Sequence, residues 1–217
     1  MLKGVLNGCK NMTFPDKKFP NIKEYTDEYF NNYSKAAASL DISKLEQAAE
    51  VLLKAYQSKK TLYVCGNGGS ASISNHLACD HGKLVATDTN LCPRIHSLAS
   101  NVEVLTAIAN DISYDEVFVN QLKLLADVGD VVMTVSSSGD SENIVRVAKW
   151  AHDFGLDVIS LTGFSGGRSA KIATVNIHVE ADNYGIIEDV HQSIMHLLGQ
   201  YIRQSHMDET VIKDRRF

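Results

Sequence analysis

The sequence predicts an α/β fold, a three-layer sandwich in which a five-stranded parallel sheet is flanked by helices and preceded by N-terminal helices. Two observations carry this expectation. Short apolar runs recur, each ending in glycine or serine and each followed by apolar residues at helical spacing, the grammar of parallel strands joined by crossovers. Ahead of the first run stand two stretches with helical periodicity and no strand pattern. The chain has 217 residues, 44% of them hydrophobic and 22% charged. That length is enough for one large domain, which buries about 70% of the surface its unfolded form exposes.

Taken in order, residues 1–20 hold two of the three prolines, Pro15 and Pro20, and read as an irregular or mobile arm. In residues 21–40, Ile22, Tyr25, Tyr29, Tyr33 and Ala36 fall near helical spacing. Leu45, Ala48, Ala49, Leu52 and Leu53 repeat the pattern over 41–56. The first strand, 61–65, runs into G-N-G-G-S and a helix over 71–83. A second strand, 95–99, precedes helical stretches over 102–109 and 115–125. A third, 131–135, runs into S-S-S-G-D-S and a helix over 142–153. The fourth, 156–161, runs into T-G-F-S-G-G, and 175–179 is the last. A long helix over 187–203 closes the pattern. The expected organisation is an arm and helix over 1–40, the sheet domain over 41–205 and a polar tail over 206–217.

Composition removes several function classes. The formal net charge is −5, and lysines and arginines are dispersed, which argues against a nucleic-acid surface. No window has the apolar length of a membrane span, and the apolar start of the chain is too short for a signal-peptide core. The four cysteines, Cys9, Cys65, Cys79 and Cys92, show no CxxC spacing and lie in or beside apolar segments. They read as reduced thiols, implying a cytoplasmic address.

In open parallel sheets the ligand crevice lies beyond the carboxyl ends of the strands, where the Gly/Ser loops collect. Ser136, Ser137, Ser138 and Ser141 offer hydroxyls there, Gly139 permits an unusual turn, and the amides opening the next helix attract an anion. A helix N-cap is the bland alternative. No lysine lies in this loop, so the pattern favours a monophosphate over a nucleotide triphosphate. Asn67, Gly68, Gly69 and Ser70 form a second such loop, with Asn67 able to donate to and accept from sugar hydroxyls. His76 and Asp80 lie four apart on one helix face, and Glu188 and His196 lie eight apart on the last helix with Gln192 between them. Two imidazoles and two carboxylates suit zinc or a similar divalent ion, or metal-free acid/base work. Spacing alone does not rank the nearby His81, Asp189 and His191 among them.

The ordered set C-G-N-G-G-S-A-S, H-x-x-x-D, S-S-S-G-D-S-E-N and N-Y-G-I-I-E-D-V-H-x-x-x-x-H resembles the sugar isomerase (SIS) domain family, and within it the phosphoheptose isomerases. The resemblance spans residues 40–203 and implies a homotetramer with active sites at subunit interfaces. It further implies isomerisation of sedoheptulose 7-phosphate to D-glycero-D-manno-heptose 7-phosphate through an enediol. By resemblance, Ser136, Ser137, Ser138 and Ser141 match phosphate-binding serines, Asn67 and Ser70 the sugar loop, and Asp111 an acidic residue of the pocket. His76, Asp80, Glu188 and His196 match metal and acid/base positions, with Asp80 and His196 as the catalytic pair and zinc the implied metal. The chain departs from the family pattern in carrying Asp80 for glutamate, Glu188 for glutamine, Lys83 for arginine and Gly185 for aspartate. The loop after Asp80 is one residue shorter. The rival implied by the same resemblance is a non-catalytic sugar-phosphate sensor or partner-binding protein of the DnaA initiator-associating type.

Overall fold

The computed structural model describes residues 13–217. Helices α1 (Ile22–Ala38) and α2 (Ile42–Gln57) precede a sheet of β1 (Thr61–Gly66), β2 (Arg94–Ser97), β3 (Val131–Ser136), β4 (Asp157–Thr162) and β5 (Val175–His178). All neighbours are parallel, in the order β2-β1-β3-β4-β5. Between the strands run α3 (Gly69–Leu84), α4 (Val102–Asp111), α5 (Val119–Leu125), α6 (Glu142–Asp153) and the short α7 (Ser169–Ile172). After the sheet come α8 (Tyr184–Gln204) and α9 (Glu209–Ile212). Asn21, Asp41 and Asn183 cap α1, α2 and α8, each accepting from an amide of the first turn.

Strand alternation builds two cores. Leu62, Val64, Val131, Met133, Ile159 and Ile177 face α2, α3 and α8. Tyr63, Cys65, Val132 and Val158 face α5 and α6, where Leu122, Ile144 and Val147 meet them. Each leucine wholly withdrawn from water, such as Leu52, Leu62 or Leu77, contributes about 1.5–3 kcal/mol. The two central strands β1 and β3 are covered on both faces, so their sequences read as continuous apolar runs.

Three places differ from the sequence expectation. The helix expected over 115–125 breaks into a 3-10 turn, Tyr114–Glu116, followed by α5. Val117, Phe118 and Val119 are all buried, and three consecutive residues of one regular helix fan over about 200° and cannot share a face. The arm is irregular over 13–20, yet Phe14 is buried against Phe19, Tyr25 and Tyr29, and its carbonyl accepts from Asn183 Nδ2 at 2.8 Å. The remainder of the arm, with Cys9, lies outside the described residues. Residues 206–217 fold back: Arg215 pairs with Asp88 at 2.8 Å, and the buried Arg203 pairs with the same carboxylate at 3.1 Å. Of the thiols, Cys65 is buried while Cys79 and Cys92 are exposed. No helix among the described residues is long and apolar enough to cross a membrane.

Candidate active site

The strand order reverses between β1 and β3, and both Gly/Ser loops leave the sheet there, G-N-G-G-S from β1 and S-S-S-G-D-S from β3. A doubly wound sheet opens its ligand crevice at such a switch point. The loops touch through side-chain amides. Asn67 Nδ2 donates to Asn143 Oδ1 at 2.9 Å, and Asn143 Nδ2 donates back to Asn67 Oδ1 at 3.0 Å. Tyr114 Oη donates to the same Asn67 oxygen at 2.8 Å. Much of the hydrogen-bonding capacity expected to meet sugar is therefore spent on holding the loop. Asn143 and Tyr114 are site residues that sequence reasoning passed over; adjacency of β1 and β3 brings Asn143 to Asn67, and the 3-10 turn after α4 brings Tyr114.

The serine loop is not a simple N-cap. Ser141 occupies the N-cap position of α6 without a side-chain capping bond. Ser136 Oγ accepts from the Gly139 amide at 3.1 Å and Ser138 Oγ from the Asp140 amide at 3.3 Å. Ser137 Oγ is buried with no partner among the described residues. Gly139 has φ +61°, and a Cβ there would collide with the carbonyl of Gly166. The T-G-F-S-G-G loop after β4 buttresses the cradle: Gly163 N donates to Ser137 O, and Ser169 N to Gly139 O, both at 2.9 Å. Arg168 clamps the loop's outer side, binding the side chain and carbonyl of Asp140 and reaching Glu142 Oε2 at 2.9 Å. Its guanidinium holds the Asp140 carboxyl below the usual range, and Arg146 with Arg168 does the same for Glu142.

Helix α3 carries His76 and Asp80 away from the first loop, and α8 packs alongside it. His76 Nε2 lies 3.3 Å and His196 Nδ1 3.2 Å from the same oxygen of Asp80. The rings stand edge to face with centroids 5.0 Å apart. Gln192 Nε2 donates to His76 Nδ1 at 2.8 Å and to His196 Nε2 at 2.9 Å. One ligand atom from each of His76, Asp80 and His196 lies within 4.8 Å of the others, a spacing that fits a divalent cation.

Glu188 does not join this trio. Eight helical residues span about 12 Å along the axis, so Glu188 shares a face with His196 but sits two turns from it. Its carboxylate lies against Gly69 at the start of α3, where a Cβ would strike it. Burial, with the Asp189 charge adding to it, pushes the Glu188 carboxyl above the usual range. Asp111, at the end of α4, is exposed and accepts from Asn110 at 2.8 Å. From its A-N-D-I-S-Y segment it is Tyr114 that reaches the loop.

The groups that spacing could not rank are now separated. His81 is buried, donating from Nε2 to Met195 O at 2.9 Å and accepting at Nδ1 from Tyr56 Oη at 2.7 Å. Burial lowers its basicity. His191 is buried, donates to Thr162 O at 3.2 Å, and burial pushes its imidazole down to about 4. Asp189 accepts from Tyr29 Oη, tying α8 to α1. All three groups support the packing of α8.

Residues 24–163 match the SIS domain family model. The chain belongs to the SIS domain family. A probable phosphoheptose isomerase of Thermoplasma volcanium is 34% identical over 81% of this chain and 89% of its own length. A phosphoheptose isomerase of Aliarcobacter butzleri is 34% identical over 73% of this chain and 83% of that one. Among solved structures, the phosphoheptose isomerase from Neisseria gonorrhoeae superposes with a TM-score of 0.77 at 29% identity, covering 85% of this chain and all of that one. The SIS fold thus accounts for the strand order and the loops at its switch point.

Proposed function

We propose that this SIS protein is a phosphosugar isomerase that interconverts sedoheptulose 7-phosphate and D-glycero-D-manno-heptose 7-phosphate. The observation that carries the reading is the continuity of α3: it begins in one switch-point loop and carries His76 and Asp80 to His196 of α8, forming an imidazole–carboxylate–imidazole trio. A sugar anchored by its phosphate at one end would then present its carbonyl end to acid/base groups. Relatives at 34% identity bearing the phosphoheptose isomerase name support the substrate class.

Aldose–ketose isomerisation moves one proton between adjacent carbons and a second between their oxygens, through an enediol. In the proposed mechanism the hydroxyls of Ser136, Ser137, Ser138 and Ser141, with the α6 amides, hold the phosphate. Asn67, Gly68, Gly69 and Ser70 line the sugar, with Asn67 kept in place by Asn143 and Tyr114. Asp80 serves either as the base that takes the proton from one carbon and returns it to its neighbour, with His196 exchanging the oxygen-bound proton, or as a metal ligand, two roles that compete for one carboxylate. Glu188, its carboxyl raised above the usual range by burial, faces the sugar at Gly69. His76, Asp80 and His196 would hold a divalent ion, zinc by the donor set, which when bound supplies Lewis-acid polarisation of the carbonyl. The working form in this reading is a cytoplasmic homotetramer, with the exposed Ile22, Phe30, Leu197 and Tyr201 as apolar surface available for assembly.

The test is turnover of sedoheptulose 7-phosphate by the wild type, Asp80→Asn and His196→Ala, with and without chelator. Each variant is expected to lose about 10²–10⁴-fold in kcat. Unchanged turnover in both would remove the acid/base assignment, and tight binding of sugar phosphate without turnover by the wild type would make the protein a sensor.

A further inference from the structure

Gln192 stands one helical turn before His196 and is no titratable group, yet it touches both imidazoles. An amide nitrogen carries two hydrogens and accepts nothing. His76 Nδ1 and His196 Nε2, at 2.8 and 2.9 Å from it, must therefore both be acceptors. A neutral imidazole has one proton, so His76 carries its own on Nε2 and His196 on Nδ1. Those are the two nitrogens that face Asp80 Oδ2 at 3.3 and 3.2 Å. The two amide hydrogens thus meet two ring acceptors, and both ring protons lie on the side of one carboxylate oxygen.

A divalent cation bound by Asp80, His76 Nε2 and His196 Nδ1 requires lone pairs where those ring protons sit. Each proton must then occupy the other nitrogen of its ring, the one facing Gln192. An amide nitrogen cannot receive it, but the amide oxygen has two lone pairs and can accept from both rings. We propose that Gln192 is a positioning residue that sets the tautomers of His76 and His196, presenting its Nε2 to the metal-free pair and its Oε1 to the metal-ligating pair. The side chain is half-buried on the α8 face that meets α3. This inference rests on the proposed use of the trio as the isomerase centre, and it extends that reading to a residue outside the trio.

The experiment compares the wild type, Gln192→Leu, which removes both roles, and Gln192→Glu, which retains only the acceptor role. Long-range ¹H–¹⁵N correlation spectra of the metal-free proteins at pH 8 read the tautomer of each ring, and zinc titration calorimetry reads affinity. In the wild type His196 is expected as the Nδ1–H form, the less common tautomer of a free imidazole. Gln192→Leu is expected to lose that preference and to bind zinc about 10–100-fold more weakly. Gln192→Glu is expected to recover the affinity while abolishing the metal-free tautomer pattern. An Nε2–H tautomer at His196 in the metal-free wild type would overturn the proposal, as would a leucine variant with unaltered affinity, or a wild type that binds no zinc. These readouts involve no turnover: an inert protein with the expected tautomers would sink the isomerase reading and leave this one standing.

Discussion

Ser137→Ala is expected to make the unliganded protein more stable and a worse binder of sugar phosphate. The Ser137 hydroxyl is enclosed in the loop with no hydrogen-bond partner among the described residues. A buried polar group left unpaired costs about 1–3 kcal/mol. Replacing the hydroxyl by hydrogen removes that penalty and forfeits only slight packing, for a net gain of about 1 kcal/mol. In a domain of this size that raises Tm by about 2–4 °C. The same hydroxyl, turned toward an anion, would make a charge-assisted hydrogen bond worth about 1.5–3 kcal/mol, so the variant should lose about 10- to 150-fold in affinity. Differential scanning calorimetry with and without sedoheptulose 7-phosphate reads both effects in one series: the melting curves should cross over, variant above wild type when empty and below it when saturated. A variant less stable than the wild type without ligand, and equally stabilised by it, would refute the argument that the loop stores an unmade bond for phosphate.

Two further outcomes follow from other parts of the fold. Gly139→Ala meets a left-handed backbone (φ +61°) and the Gly166 carbonyl, so urea unfolding should show a loss of about 2 kcal/mol or more, together with loss of phosphate-dependent stabilisation; a neutral variant would mean that the two loops are not locked together. His191 is held neutral down to about pH 4, whereas the unfolded chain takes up its proton near 6.5, so stability rises with pH across that window and up to about 3 kcal/mol is lost as pH falls through it. His81 acts in the same direction. His191→Gln should flatten the dependence of the urea midpoint between pH 7 and 4.5, and an unchanged slope would show that burial of this ring does not control acid sensitivity.

What could be read before any coordinates divides along the range of the physics involved. Strands such as Val131–Ser136 were legible because a run buried on both faces must be apolar throughout and must end where the chain turns into a loop. Helix α6 was legible over its whole length, Glu142–Asp153, because its apolar stripe keeps one period and packs into one core. The break before α5 was not, since a periodicity count rewards Val117, Phe118 and Val119 equally whether or not one face can bury them. The site divides the same way. His76 with Asp80 is a local pair, four residues on one helix, and one spacing suffices to place it. Glu188 with His196 also satisfied the rule of a common face, but a face is a direction and not a distance: two turns of rise carry the carboxylate to Gly69 and leave Gln192 facing the imidazoles.

That exchange explains why Gln192 was legible only as a residue between Glu188 and His196, with no role of its own. A search for titratable groups selects by what a side chain can become, a charge or a ligand, and an amide becomes neither. Its influence is instead on which of the two ring nitrogens bears a proton, a property with no signature in composition, spacing or charge. Asn67 and Asn143 repeat the lesson one strand away, where a pair of amides 76 residues apart ties the two loops together. Both bridges depend on neighbours fixed by topology, β1 beside β3 and α3 beside α8. In this SIS fold a pair on one helix, such as His76 and Asp80, can be read from spacing, whereas contacts that join two elements, His196 to Asp80 and Asn67 to Asn143, are read only after the packing of the elements is known.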